Sequence, residues 1–363
     1  MTDSDEFDSD DFDSDDFDSE DVDSEDVPSD PAQEWRDYEE KARKGRRLCG
    51  LGSRQGYYKG PRSKWHWWRR LYRCSTCTKF KPRTAFGTRP SSCRKCQRAQ
   101  STAYNSSPRG RVLRLFRGAQ RSSKRREMPY QLPDPKKPTQ VFDFFFGVVR
   151  RQGYKCAISG ARLPPKAASL ERQDERRGYR PDNVTVIHRD WQSTSHDGAE
   201  DGQSSSQWTA EKFREVARLR DRLRLIGSAF IPQYTLWATA AAGPLENRFF
   251  TEEQQTLRVR MLDAISGAIQ RTEARREKGR DHDDVEIDVA YLAELYRRQH
   301  GRCAYTRVPL AVKGKFKWSV ERKENDKGYT KLNTVLVIKE VNHGCAQWSK
   351  KKADKYWGGP VPI

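Results

Sequence analysis

The chain has 363 residues, 34 % of them hydrophobic and 33 % charged, which supplies apolar material for compact modules but not for one large globule. Its formal charge of +19 is divided unevenly: residues 1–30 hold sixteen Asp or Glu and no Lys or Arg, so the rest, with 70 basic and 35 acidic side chains, carries +35. No run approaches the roughly 20 apolar residues of a membrane span, and the acidic start does not read as a signal peptide, which opens basic and then turns apolar.

The chain is therefore expected to be intracellular, and nuclear if it acts in a eukaryotic cell. Its eight cysteines are expected as metal ligands or buried thiols rather than disulfides. The polycationic body points to a polyanionic partner, DNA first and RNA as the alternative, ahead of a charge excess that serves solubility alone.

Residues 1–30, with "DEFDSDDFDSDDFDSEDVDSEDV", repeat a five-residue acidic unit that cannot bury a core, so disorder is expected. The segment reads either as a solvating tail or as a mimic of a nucleic-acid backbone. Residues 31–100 turn basic and aromatic. In "RSKWHWWRRLY", Trp65, Trp67 and Trp68 lie among arginines and could stack on bases or simply pack on the module that follows. That module holds Cys74 and Cys77, then Cys93 and Cys96. Two C-x2-C pairs fifteen residues apart match two knuckles closing a tetrahedral zinc shell. Four thiolates leave no open coordination position, so the zinc would fold a small module rather than catalyse. Cys49 and His66 stand near enough in sequence to replace one ligand. Residues 101–138, polar, basic and proline-containing, read as a flexible linker.

Two segments then repeat. "FDFFFGVVRRQGYKCAISGARL" at 142–163 matches "VAYLAELYRRQHGRCAYTRVPL" at 289–310, and "SLERQDERRGYRPDNVTVIHRDWQ" at 169–192 matches "SVERKENDKGYTKLNTVLVIKEVN" at 319–342. Twelve residues separate Glu171 from Asn183 and Glu321 from Asn333, and nine more lead to Gln192 and Asn342. The shared spacing indicates a duplicated unit of roughly 50 residues, one copy within 139–200 and the other within 285–363. Each copy reads as a helix, a hairpin around a single cysteine, a strand, a Gly-Tyr turn, a second strand and a following helix. Cys156 and Cys303 lack partner cysteines and are expected as buried thiols. Between the copies, 201–284 has helical spacing with Thr209 and Thr251 as N-caps, a connector whose arginines face solvent or phosphates.

A carboxylate and a carboxamide brought together form a hard, oxygen-rich site suited to Mg²⁺. The Cys-bearing hairpin, Ser-x-acid-Arg-x-acid, Gly-Tyr, Asn and terminal Asn, from which Gln192 departs in the first unit, together resemble the HNH (ββα-metal, His-Me finger) endonucleases of phage and large-virus type, and the four-Cys segment is similar to the zinc module that precedes such domains. The resemblance covers about 72–100, 142–192 and 289–343. It implies an α+β, multi-module chain: a disordered acidic tail, a small zinc finger, and two ββα-metal units joined by helices, with structural Zn²⁺ and catalytic Mg²⁺ or a similar divalent ion. It implies Glu321 and Asn342 as metal ligands with Asn333 as an orienting residue, and Glu171, Gln192 and Asn183 in the same roles in the first unit. Both units depart from the family in one place. Where it has a general-base histidine they have Arg172 and Arg322, which can clamp phosphate but cannot accept a proton near neutral pH. His188 and His343 are then the imidazoles available as base; alternatively a metal-bound water acts alone, or the units only bind nucleic acid.

Overall fold

The computed structural model describes residues 30–45, 71–86, 91–192, 207–226, 234–242, 251–277, 279, 284–343 and 348–359. The acidic repeat as far as residue 29, Cys49, His66, Trp65, Trp67 and Trp68 lie outside them. The described chain is α+β, with ten helices and three two-stranded antiparallel sheets. None of these helices is long and apolar enough to cross a membrane.

Helix α1, Pro31–Lys44, starts where Asp30 accepts the Ala32 N–H, and it buries Trp35. The Trp35 indole donates to the Leu163 carbonyl at 2.8 Å, which docks α1 on the first repeat and not on the cysteine module with which the 31–100 boundary groups it. That module is a hairpin, β1 (Leu71–Arg73) and β2 (Phe80–Pro82), followed by α2 (Arg94–Ser106).

The expected flexible linker at 101–138 is instead largely helical, because α2 runs on to Ser106 and α3 spans Pro108–Arg125. Ser107 caps α3 by accepting the Gly110 N–H at 3.1 Å, with Pro108 at its first position. Val112, Leu113, Phe116 and Ala119 form one buried stripe at helical spacing, concealed in the sequence by the arginines and serines around them.

The first repeat comprises α4 (Pro138–Arg151), which buries three phenylalanines and three valines, then β3 (Ala168–Arg172) and β4 (Val184–His188). The connector holds α5 (Ala210–Ile226), α6 (Tyr234–Ala242) and α7 (Glu252–Glu277). Thr209 accepts the Lys212 N–H, and Thr251 and Gln254 exchange hydrogen bonds as a capping box, so both expected caps are present. The second repeat comprises α8 (Val289–Arg298), β5 (Trp318–Arg322), β6 (Thr334–Ile338) and the single turn α9 (Lys339–Asn342), and α10 (Lys350–Tyr356) ends the described chain. The last position of each pattern follows one helical turn rather than opening a long helix: Gln192 comes after the 3-10 turn Arg189–Trp191, and Asn342 is the last residue of α9.

The duplication extends to individual bonds. In each copy five residue pairs join the strands, with Glu171 opposite Thr185 and Glu321 opposite Val335. The glutamine ending each Arg-Arg-Gln run caps its helix and grips the middle of the second strand. Gln152 bonds both the N–H and the carbonyl of Val186, at 2.8 and 2.7 Å, and Gln299 does the same to Leu336, at 2.9 and 2.8 Å. A two-stranded ribbon is marginal alone, so these pins matter to its persistence. Gly178, at φ +71°, is required as glycine, since a Cβ there would sit 2.5 Å from the Pro129 carbonyl oxygen.

An aromatic seam joins the two repeats. Trp191, at the end of the first, packs edge-on against Trp208 and Phe213 of the connector and against Trp348, Tyr356 and Trp357 at the end of the second, with ring centroids 4.6–5.5 Å away. A buried Lys212–Glu340 ion pair at 2.7 Å ties α5 to α9 beside it.

Candidate metal and phosphate sites

The sulfur atoms of Cys74, Cys77, Cys93 and Cys96 all lie within 4.8 Å of one another, so the four side chains could hold a metal ion. Cys74 and Cys77 flank the turn after β1, while Cys93 and Cys96 sit at the N-cap and in the first turn of α2. Desolvation opposes ionisation of Cys74, but the backbone N–H groups of Cys77, Cys93 and Thr76 outweigh it and bring its pKa down to about 6. Cys93 is lowered by the backbone at Cys96 and by Lys81, whose ammonium lies 3.1 Å from its sulfur. Cys96 is pushed up to about 12 by its neighbours Cys93, Cys77 and Cys74 together with burial. Thiols that favour opposite protonation states at one point suit a cation that takes all four cysteines as thiolates.

In the repeats, alternation along the strands decides what each polar residue faces. In β5, Trp318, Val320 and Arg322 are buried while Ser319 and Glu321 on the opposite face are only half-buried. The sequence allowed Arg172 and Arg322 to clamp phosphates, whereas the structure turns both inward. Arg322 donates to the carbonyls of Asn325 and Lys327 at 2.7 and 2.9 Å and lies 5.3 Å from the Tyr329 ring centroid. Arg172 donates to the Glu175 carbonyl at 2.5 Å and lies 5.2 Å from the Tyr179 ring. Each guanidinium thus holds its own inter-strand loop closed. Asn333 closes the same loop by accepting the Glu324 N–H and donating to the carbonyls of Glu324 and Gly328, and Asn183 does so through Asp174 and Gly178. Both asparagines therefore position the arginine indirectly, by fixing the loop whose carbonyls it bonds.

The two expected metal sites differ. Asn342 donates through Nδ2 to Ser319 Oγ at 2.5 Å and to the Val320 carbonyl at 2.9 Å, leaving Oδ1 without a partner among the described residues. Ser319 and Glu321 share a strand face, so this bond brings the carboxamide to the carboxylate's side of the sheet. Glu321 makes no hydrogen bond to a described residue, and burial, offset by Arg322, Arg271 and Arg275, raises its pKa to about 7. In the first repeat both ends of the amide are engaged: Gln192 Oε1 accepts from Ser169 and Nε2 donates to the Leu170 carbonyl at 3.4 Å. Glu171 is 5 % exposed and accepts Gln207 Nε2 at 3.0 Å, so a side chain 36 residues away covers it.

Burial likewise lifts the Glu171 pKa from its ordinary 4.5 to about 7, with Arg172 opposing. A carboxyl that holds its proton more tightly when folded stabilises the fold below pH 4.5, and that contribution is lost as pH rises through 7. The difference amounts to about 3 kcal/mol at about 1.4 kcal/mol per pH unit. Denaturant unfolding of the metal-free protein should therefore show stability falling between pH 5 and 8. Glu171→Gln should remove part of that fall, with Glu321 supplying the remainder; an unchanged slope would remove Glu171 as a source.

His188 does not serve the first site. It pairs with Ala168 in the ladder, three positions from Glu171, which places it about 10 Å along the strand and on the other face. Its Nδ1 accepts the Asp190 N–H and lies 3.2 Å from the Tyr356 hydroxyl, and burial lowers its pKa despite the nearby Asp190 carboxylate. His343 follows Asn342 directly, half-buried, with its N–H on the Lys339 carbonyl. His300, at φ +55°, belongs to the turn after α8. Cys156 and Cys303 are buried thiols as expected, accepting the N–H groups of His188 and Thr306. Sequence reading assigned no role to Gln152, Gln299 or Gln207. The first two were visible in the repeated Arg-Arg-Gln, whereas Gln207 has no counterpart motif.

Compared with protein-family models, curated proteins and solved structures, the chain matches none of them.

Proposed function

We propose that the protein is a metal-dependent endonuclease that hydrolyses DNA phosphodiester bonds at its second repeat, on a ββα-metal scaffold of the HNH type. The observation that carries this reading is the pair of oxygen donors, Glu321 carboxylate and Asn342 Oδ1, that have no hydrogen-bond partner among the described residues and lie on one side of a two-stranded ribbon within a strongly cationic body. One carboxylate and one carboxamide suit Mg²⁺, which keeps several waters and takes phosphate oxygens as further ligands. Bound there, such an ion would supply charge stabilisation for the phosphate and leaving oxygen and activation of water. Glu321 and Asn342 would hold it, Ser319 fixes the carboxamide, and Arg322 with Asn333 fixes the loop behind them. His343, next to Asn342, is the imidazole left to receive the water's proton. The first repeat, its carboxylate covered by Gln207, serves as scaffold, and the four-Cys cluster holds a structural Zn²⁺.

Supercoiled plasmid should be nicked by the full chain with Mg²⁺ or Mn²⁺ and left intact when neither ion is added. A second reading, nucleic-acid binding without cleavage, is favoured by the inward arginine at the position where the HNH family has its base. Tight, salt-sensitive binding with no divalent-dependent product would support it and overturn the first.

A further inference from the structure

Helix α7 lies outside the repeated sequence, yet it reaches the second candidate site. Arg271 donates through Nε to the Tyr329 hydroxyl at 3.0 Å, and its guanidinium stands 5.5 Å from the Tyr329 ring, the ring that also packs on Arg322. Its two terminal nitrogens have no hydrogen-bond partner among the described residues, and the side chain is exposed. Arg275 follows one turn later on the same face of the helix. Both arginines lie within electrostatic reach of Glu321. Gly267 fits this arrangement. A glycine in a helix interior costs about 1 kcal/mol against alanine, and here a Cβ would come within 3.1 Å of Arg271 Nη1, so its absence lets the guanidinium lie along the helix.

The first repeat has a parallel. Arg126, at the C-cap of α3, acts electrostatically on Glu171, Arg172 and Tyr179. In both copies an arginine of the helix that precedes the unit lies within electrostatic reach of the carboxylate.

We propose that Arg271 and Arg275 are phosphate-binding residues of the second site, gripping the nucleic-acid phosphate that Glu321 and Asn342 address. This rests on the nuclease reading of that site. Arg271 and Arg275 lie within electrostatic reach of Glu321, and guanidiniums beside a carboxylate disfavour a lone divalent cation there and favour a cation arriving with a phosphate. The planar forks suit phosphate oxygens, and their attraction would strengthen as negative charge builds on those oxygens during hydrolysis.

The test uses the full chain with both arginines replaced by alanine, and separately by lysine. Duplex binding without added divalent ion is followed against salt, and plasmid nicking is followed with Mn²⁺. The alanine pair should lower the slope of log affinity against log salt by about 1 to 2, at about 0.9 per phosphate contact, and cut nicking by about a hundredfold or more. The lysine pair should keep the slope while losing part of the rate, because it retains charge but not the fork. Arg271→Ala alone should keep the circular dichroism and lower the thermal midpoint by no more than a few degrees, since the exposed residue gives up one hydrogen bond and one ring contact, both to Tyr329. If wild type cleaves and the alanine pair matches it in slope and rate, the inference is overturned and the nuclease reading stands. If wild type never cleaves but the pair still loses slope, the nuclease reading fails and phosphate binding by α7 stands.

Discussion

Glu321→Ala is expected to lower metal-dependent nicking by about a hundredfold or more, because residues only one shell removed from a metal already cost roughly 10–100-fold when lost. Glu171→Gln should leave the rate near that of wild type. The same motif letter has opposite expected effects because the two carboxylates meet different surroundings. Glu321 is half-buried and makes no hydrogen bond to a described residue, whereas Glu171 is enclosed and bonded to Gln207. Parallel titration of Mn²⁺ in the presence of duplex would separate lost metal affinity from lost turnover. Equal losses for both variants would show that the Gln207 cover opens, and would make the first repeat a second active site.

The other large effect concerns the cysteines. Cys74→Ser, or chelation of the wild type, should unfold residues 71–106 as a unit. Its buried core consists of Cys74, Phe86 and Cys93, with Tyr72, Ala85 and the other two cysteines beside it, far too little apolar surface to order a module of this size. Structural zinc supplies about 10–16 kcal/mol in comparable small modules, so its removal leaves nothing to replace it. Hydrogen exchange should show protection lost across β1, β2 and α2 while α3 keeps its own, since Val112, Leu113 and Phe116 are buried in the main core. Protection retained by 71–106 without bound metal would refute a structural ion.

Much of the scaffold was legible because local rules and repetition agreed. The cysteine spacing, the caps at Thr209 and Thr251 and the paired strands each carry their own chemical reason, and two copies of the strand motif fixed one register for both. What escaped reading depended on facing. Arg322 adjoins Glu321 in sequence, yet strand alternation places it on the opposite side, so adjacency suggested a shared site where the fold provides separate ones. Helix α3 was hidden because composition over 101–138 is basic and polar, although four apolar positions suffice for a buried stripe. Gln207 and Arg271 act through contacts 36 and 58 residues distant, which no spacing rule anticipates.

The seam around Trp191 also sets an order of events during synthesis. Its partners Trp348, Tyr356 and Trp357 are among the last described residues, and Tyr356 bonds Asp190 across 166 positions at 2.8 Å. A nascent chain can complete the first repeat's ribbon long before those rings leave the ribosome, so Trp191 must wait with one side uncovered. The second repeat then closes the first from outside, and a message truncated a few codons before residue 348 would yield a protein with every proposed ligand present and its central indole exposed to water.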